Sequence, residues 1–433
     1  VVAFANPQAS PDTTTEAPAT APVDPVLYQY TSWTIETGRF GPVAELQKAI
    51  NAQLEACGAK PRTGILGAFN RSTRDAIIAL ATCLEFETAL PPDSPARQGA
   101  LTEALWKALA PDLAIPGPEG RSASLKLTFE ATDYTVMQWN YCQNRPFFDP
   151  RMDGSKCYSN DKRSFITWGP HGATAGHGRE VQAILLDFLQ TGEAAMLALE
   201  QAFGAEAKAV RRMLELANNT DNSPLETYLC SVWMDPARRL AWRNGFAALG
   251  ARADVRETYR EVYQSASFDG GKVATFYAVW ARSEFGLGVT ELDHAFFLDR
   301  SAHMSISGTA LAAALTALKA EAGQDWPLAP AKVRQHIAVT VRPTNQKKDR
   351  LGRDVAFYID GVGDAGLNTE EREAWTARGA RRAADIGLSD SRLMPAYTPG
   401  PKRPSIVPTG QLTASDAANC PAAVLNPLSP VPR

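Results

Sequence analysis

The chain has 433 residues, of which 45% are hydrophobic and 21% charged, and its formal net charge is −3. That length and mix describe a globular protein of two or three domains with at least one sizeable core. The near-neutral balance supplies no basic footprint for nucleic acid, and no apolar run approaches the ~20 residues that span a bilayer.

The opening VVAFANPQAS, followed by PDTTTEAPATAPVDP, reads as the tail of an export signal and a Pro/Thr/Ala linker reaching residue 36. A periplasmic or extracellular protein is therefore expected. The six cysteines, Cys57, Cys83, Cys142, Cys157, Cys230 and Cys420, include no CxxC pair. This argues against zinc ribbons and redox motifs and permits disulfides; Cys57–Cys83 and Cys142–Cys157 are the local pairings favoured.

From Gly41 the pattern turns helical, with Val43, Leu46, Ile50 and Leu54 on one face and Gly58 as the stop. After the turn Gly64-Ile65-Leu66-Gly67, Ser72 or Thr73 is placed to cap a second amphipathic helix. Leu46-Gln47, that turn, and Thr73 leading into Ala76-Ile77 resemble the small three-helix peptidoglycan-binding domain, over residues 37–110. Thr63 stands where that family usually has Asp. Residues 111–124, PDLAIPGPEGRSAS, read as a second linker.

Residues 164–168, SFITW, form a β-type run, and a glycine-dense loop from Gly169 to Gly178 leads from it into helix-periodic segments over 181–189, 193–203 and 207–217. Further helices fit 236–247, 255–265, 271–284 and 291–304. Beyond Trp326, VRQHIAVTVRP reads as helix then strand, RDVAFYIDG as strand and TEEREAWTARGARRAADIG as an exposed helix. Residues 326–393 thus form an extension of undefined fold, and 394–433 a Pro-rich tail, extended or disordered. The fold class is mainly α, of α+β type.

Cleaving a glycosidic bond takes a protonated carboxyl to help the leaving oxygen depart and a second carboxylate as base or nucleophile. Glu130 suits the first role, because apolar Leu127 and Phe129 just before it would raise its pKa. Asp161, among polar Ser159, Asn160 and Lys162, suits the second, and the Thr167 hydroxyl is placed to hold a water. Asp149 and Asp153 are rivals for the base. Trp139, Tyr141 and Trp168 are either sugar-stacking faces or core. His171 and His177 line a cleft by hydrogen bonding more readily than they bind metal, since no carboxylate ligand set accompanies them. Glu180 opens a helix, where dipole compensation accounts for it. No GxxxxGK[ST] or GxGxxG spacing suggests a nucleotide, and no metal or organic cofactor is called for.

Phe129-Glu130, Tyr134, Asn140 and Ile166-Thr167-Trp168-Gly169 resemble, in order, the lysozyme superfamily, in its chitosanase-like and phage-lysozyme-like branches. Residues 125–325 would then be a lysozyme-like domain. The resemblance implies a catalytic Glu at the end of the domain's first helix, followed by a β-hairpin carrying Asp and Thr. It further implies an inverting hydrolase of a β-1,4-linked amino-sugar polymer, with Glu130 as acid, Asp161 as base and Thr167 beside the water. Tyr134, Asn140, Trp168, His171 and His177 would contact the polysaccharide. The longer Glu130-to-Asp161 interval implies an insertion that Cys142–Cys157 would staple. The N-terminal resemblance favours peptidoglycan. Chitosan or another β-glucan is the alternative substrate, and a non-catalytic wall-binding protein the alternative function.

Overall fold

The structure, a computed structural model, describes residues 24–83, 86, 90–130, 132–139, 164–176, 179–217, 223–280, 287–303, 307–342 and 347–403. It is mainly helical with small antiparallel sheets, as the hydrophobic periodicity predicts.

Two strands, β1 (Val26–Tyr28) and β2 (Ile35–Glu36), occupy the stretch expected to be linker. β2 pairs with β3 (Ala68–Phe69), and β1 with β4 (Leu101–Thr102). Leu27, Tyr28 and Ile35 are buried, so the apolar residues in this short run, not its Pro/Thr surroundings, decide its fate. Helix α1 (Pro42–Ala56) buries Val43, Leu46, Ile50 and Leu54, the face its spacing marks. Helix α2 (Arg71–Leu80) is capped by Asn70, which accepts from the Thr73 backbone, and not by Ser72 or Thr73. Helix α3 (Glu103–Leu109) completes the unit.

The buried Gln47 fastens the turn between α1 and α2. Its Nε2 donates to Ala68 O and Thr73 Oγ1, and its Oε1 accepts from the Leu66 and Gly67 backbones, so all four bonds its amide makes are internal. Gly67 is required there: its φ is +70°, and a Cβ would fall 1.8 Å from Gly38 O. The Cys57–Cys83 disulfide ties the end of α1 to the end of α2; Cys142 and Cys157 lie outside the described residues.

Helix α4 (Pro118–Glu130) begins inside the expected 111–124 linker. Pro at a helix start is favourable, and Arg121, Ser122, Ser124, Lys126 and Thr128 on the buried side are polar, which is why no amphipathic signal marks it. Their partners are internal: Arg121 Nη1 donates to Pro116 O at 2.7 Å, Thr128 Oγ1 to Ser124 O at 2.8 Å.

Strands β5 (Met137–Trp139), β6 (Ser164–Trp168) and β7 (Ala173–Gly176) form one antiparallel sheet with β6 central. Thr167 pairs with Gln138 on one side and Thr174 on the other. The sheet packs into a core shared with α5 (Glu180–Leu189), α6 (Glu193–Phe203), α7 (Ala207–Leu216), α8 (Ser223–Met234), α9 (Pro236–Gly250) and α10 (Ala253–Gln264).

A separate core joins the N-terminal unit and α4 to α11 (Asp269–Trp280), α12 (Glu291–Ser301), α13 (Gly308–Ala322), α14 (Pro330–Thr340) and α15 (Lys347–Val362). The segment 353–361, expected to be a strand, lies inside α15, and among the described residues no strand follows α14. VAFYI is buried on every side, so its sequence carries no period to separate helix from strand. Helix α16 (Thr369–Ala377) follows. The segment 389–403 is extended and docked. Met394 N donates to Val289 O in one core's shell, and Ala266 N to Gly400 O beside the other. Among the described residues no helix is long and apolar enough to cross a membrane.

Candidate functional site

Glu130 is the last residue of α4, and its side chain is 27% exposed. Its Oε1 lies 3.1 Å from His303 Nε2 and accepts from Arg353 Nη2 at 2.9 Å. Arg353 projects from α15 and also pairs with the buried Asp299 of α12. Arg350 Nη2 reaches Asp299 at 2.6 Å, its Nε donates to Asp354 at 2.9 Å, and Asp354 accepts from Arg300 at 2.8 Å. Charges therefore alternate from Glu130 inward through three arginines and two aspartates. Removing an inner member leaves its buried neighbours with one ion-pair partner fewer, which is destabilising.

This network reverses the expected ionisation of Glu130. Burial raises its pKa, but the His303 hydrogen bond and the Arg353 charge outweigh burial and bring it down to about 2. Phe129, which suggested an apolar setting, is the platform on which the guanidinium rests, 4.8 Å from its ring centre. Arg350 and Arg353 also hold the Asp299 carboxyl well below the usual range, against its burial.

One turn earlier on α4, Lys126 Nζ lies 2.6 Å from His171 Nδ1 and 3.0 Å from Asp269 Oδ2. Lys272 Nζ reaches the other Asp269 oxygen at 3.2 Å and donates to Ser301 O at 2.8 Å. His171 sits on the β6–β7 turn and stacks on Tyr263 at 4.3 Å. Burial, and then the Lys126 charge, push its pKa down to about 4, so the ring is neutral at pH 7 and Nδ1 accepts from Lys126. His171 lines the groove beside α4, with its Nδ1 committed to Lys126 in the interior. The turn itself needs Gly169, whose φ is +75° and whose Cβ would meet the Tyr259 ring at 2.7 Å.

Trp168 is wholly buried, donates Nε1–H to Tyr134 O at 2.7 Å and meets Tyr259 edge-on. It is a core residue with no face for a sugar, and Trp139, which packs on Trp242, is the same. Tyr134 is half-buried against Tyr259. Thr167 is half-buried in mid-strand. Glu180, half-buried, accepts from Thr174 Oγ1 at 2.5 Å and Thr174 N at 3.1 Å, which fastens β7 to α5. Asp161, Asn140 and His177 lie outside the described residues, as do Asp149 and Asp153.

The hydrogen-bond partners of Glu130, Arg353 and His303, were not among the residues singled out from the sequence. The one signal for Arg353 was the Arg350, Arg353, Asp354 spacing, which on a helix places charges one turn apart. Among the described residues, no group of three or more His, Cys, Asp or Glu side chains is arranged to hold a metal. Comparisons with protein-family models, curated proteins and solved structures return no match.

Proposed function

We propose that the chain is an exported glycoside hydrolase that cleaves a β-1,4-linked amino-sugar polymer, peptidoglycan foremost, with Glu130 at the centre of the chemistry. The observation that carries this reading is the setting of Glu130. A part-exposed carboxylate ends a helix, and one oxygen is fixed by Arg353 and His303. Pre-positioning of this kind is what acid/base catalysis on a bound polymer needs. A β-sheet bearing Thr167 follows Glu130 in the chain, in the order the lysozyme-superfamily resemblance implies. The Cys57–Cys83 disulfide fits an oxidising compartment.

A carboxyl with a pKa near 2 is ionised at rest, so its proton must arrive by another route. In this reading it comes from solvent, which reaches the part-exposed Glu130 side chain. Glu130 passes it to the leaving glycosidic oxygen as the bond to the anomeric carbon breaks. Asp161 takes a proton from the attacking water, whose oxygen bonds that carbon, and Thr167 orients the water. Arg353 keeps Glu130 in place throughout.

The same ion pairing also favours a second reading, a wall-binding protein in which Glu130 is purely structural. Incubation with purified sacculi and with chitosan, followed by mass spectrometry, separates the two. New reducing ends support hydrolysis, 1,6-anhydro ends would replace the Asp161 step, and intact polymer supports the binding protein.

A further inference from the structure

The face of α4 that ends at Glu130 is open along its length through Gly120, Ala123 and Leu127. A cavity of about 370 Å³ runs along this stripe, walled by the 37–42 turn of the N-terminal unit and by α10. Its volume lies within the range of small-molecule sites.

The charges around the cavity are nearly, but not fully, paired. Arg39 pairs with Asp133 at 3.1 Å, Arg260 with Glu257, and Lys126 with Asp269 at 3.0 Å. Arg256 is the remaining cation. Its Nη1 donates to Ala251 O at 2.6 Å and Gly250 O at 3.3 Å, and its guanidinium lies 4.0 Å from the centre of the Phe40 ring. Among the described residues no carboxylate is within ion-pair distance of it, and the rest of the guanidinium has no hydrogen-bond partner. Phe40 is 38% exposed, unusual for a phenyl group, and Tyr134 lines the same space. Aromatic faces beside a cation with free N–H groups suit a sugar ring that carries a carboxylate.

We infer that this groove binds a carboxylate-bearing sugar unit, with Arg256 receiving the carboxylate and Phe40 and Tyr134 flanking the ring. The inference rests on the glycan reading above and deepens it. The N-terminal unit becomes a wall of the binding surface as well as a tether, and a polycationic glycan such as chitosan is disfavoured.

The test is calorimetric binding of three tetrasaccharides to the full chain carrying Glu130→Gln: alternating N-acetylglucosamine and N-acetylmuramic acid, chitin and chitosan. The muramic acid probe is expected to bind about tenfold or more tighter than chitin, the effect of one charge-assisted contact. Arg256→Gln removes that preference, whereas Arg256→Lys, which keeps the charge, retains part of it. Equal affinities in the parent, or a folded Arg256→Gln protein with the preference intact, would overturn the inference. The two readings fail separately. Preference without cleavage by the wild-type chain refutes only the hydrolase; cleavage with a preference indifferent to Arg256 refutes only the groove.

Discussion

Lys126 and Glu130 stand one turn apart on α4, and each anchors a different ion network. Lys126 holds Asp269 and His171, and Glu130 holds Arg353 and His303. Lys272 joins the two, binding Asp269 and the carbonyl of Ser301, two residues before His303. Helix α4, the β6–β7 turn, the ends of α11 and α12 and the middle of α15 are thereby held in register around the candidate site.

Arg353→Met should raise the Glu130 pKa from about 2 toward or above the ordinary carboxylate value of ~4.3. It should also destabilise the fold, by up to about 3 kcal/mol, because buried Asp299 is left with Arg350 alone. Carbon-detected NMR titration and urea unfolding measure the two effects. The sign follows from linkage: a depressed carboxyl pKa contributes stability above the unfolded value, and that stability is lost as pH falls toward 2. The variant should therefore lose less stability than wild type between pH ~4 and ~2. An unchanged Glu130 pKa would contradict the network.

His171 and His294 both have pKa values lowered to about 4 by burial, and His171 also by Lys126. Between that value and the unfolded ~6.5 the unfolded chain binds more protons, so stability should fall as pH drops through this window. Each histidine contributes up to ~3 kcal/mol. The charged groups facing His171 are Lys126, Asp269 and Glu130; the two carboxyls stay ionised through the window because both pKa values lie below it. Folded His171→Asn should lose about half of the slope in chemical denaturation. A slope equal to wild type would place the titration elsewhere.

Much of the helical fold was legible where packing is one-sided. Val43, Leu46, Ile50 and Leu54 announce α1 because apolar and polar faces separate cleanly. The pattern fails for two opposite reasons in the helices that carry the site. In α4 the buried side mixes Arg121, Ser124, Lys126 and Thr128 with Leu125 and Phe129, so burial leaves no clean apolar face; in α15 apolar residues face every direction. Glu130 itself stood out, yet its ionisation did not, since its partners lie 173 and 223 residues away in sequence. Neighbours in sequence describe local polarity, whereas a pKa is set by neighbours in space.

The double variant Cys57→Ala/Cys83→Ala should be destabilised by about 3 kcal/mol, the loop-closure contribution for a loop of this size. The N-terminal unit shares a core with α11 to α15, so the loss should lower the unfolding temperature of that whole core. Differential scanning calorimetry with a new, independent low-temperature transition for the N-terminal unit would contradict the shared core.

The most direct test of the central claim is sugar release from purified sacculi by wild type and Glu130→Gln, read by mass spectrometry, with circular dichroism confirming an unchanged fold. Wild type should generate new reducing ends, and Glu130→Gln none above background. Release by Glu130→Gln at the wild-type rate, or no release by either protein from sacculi or chitosan, would contradict it.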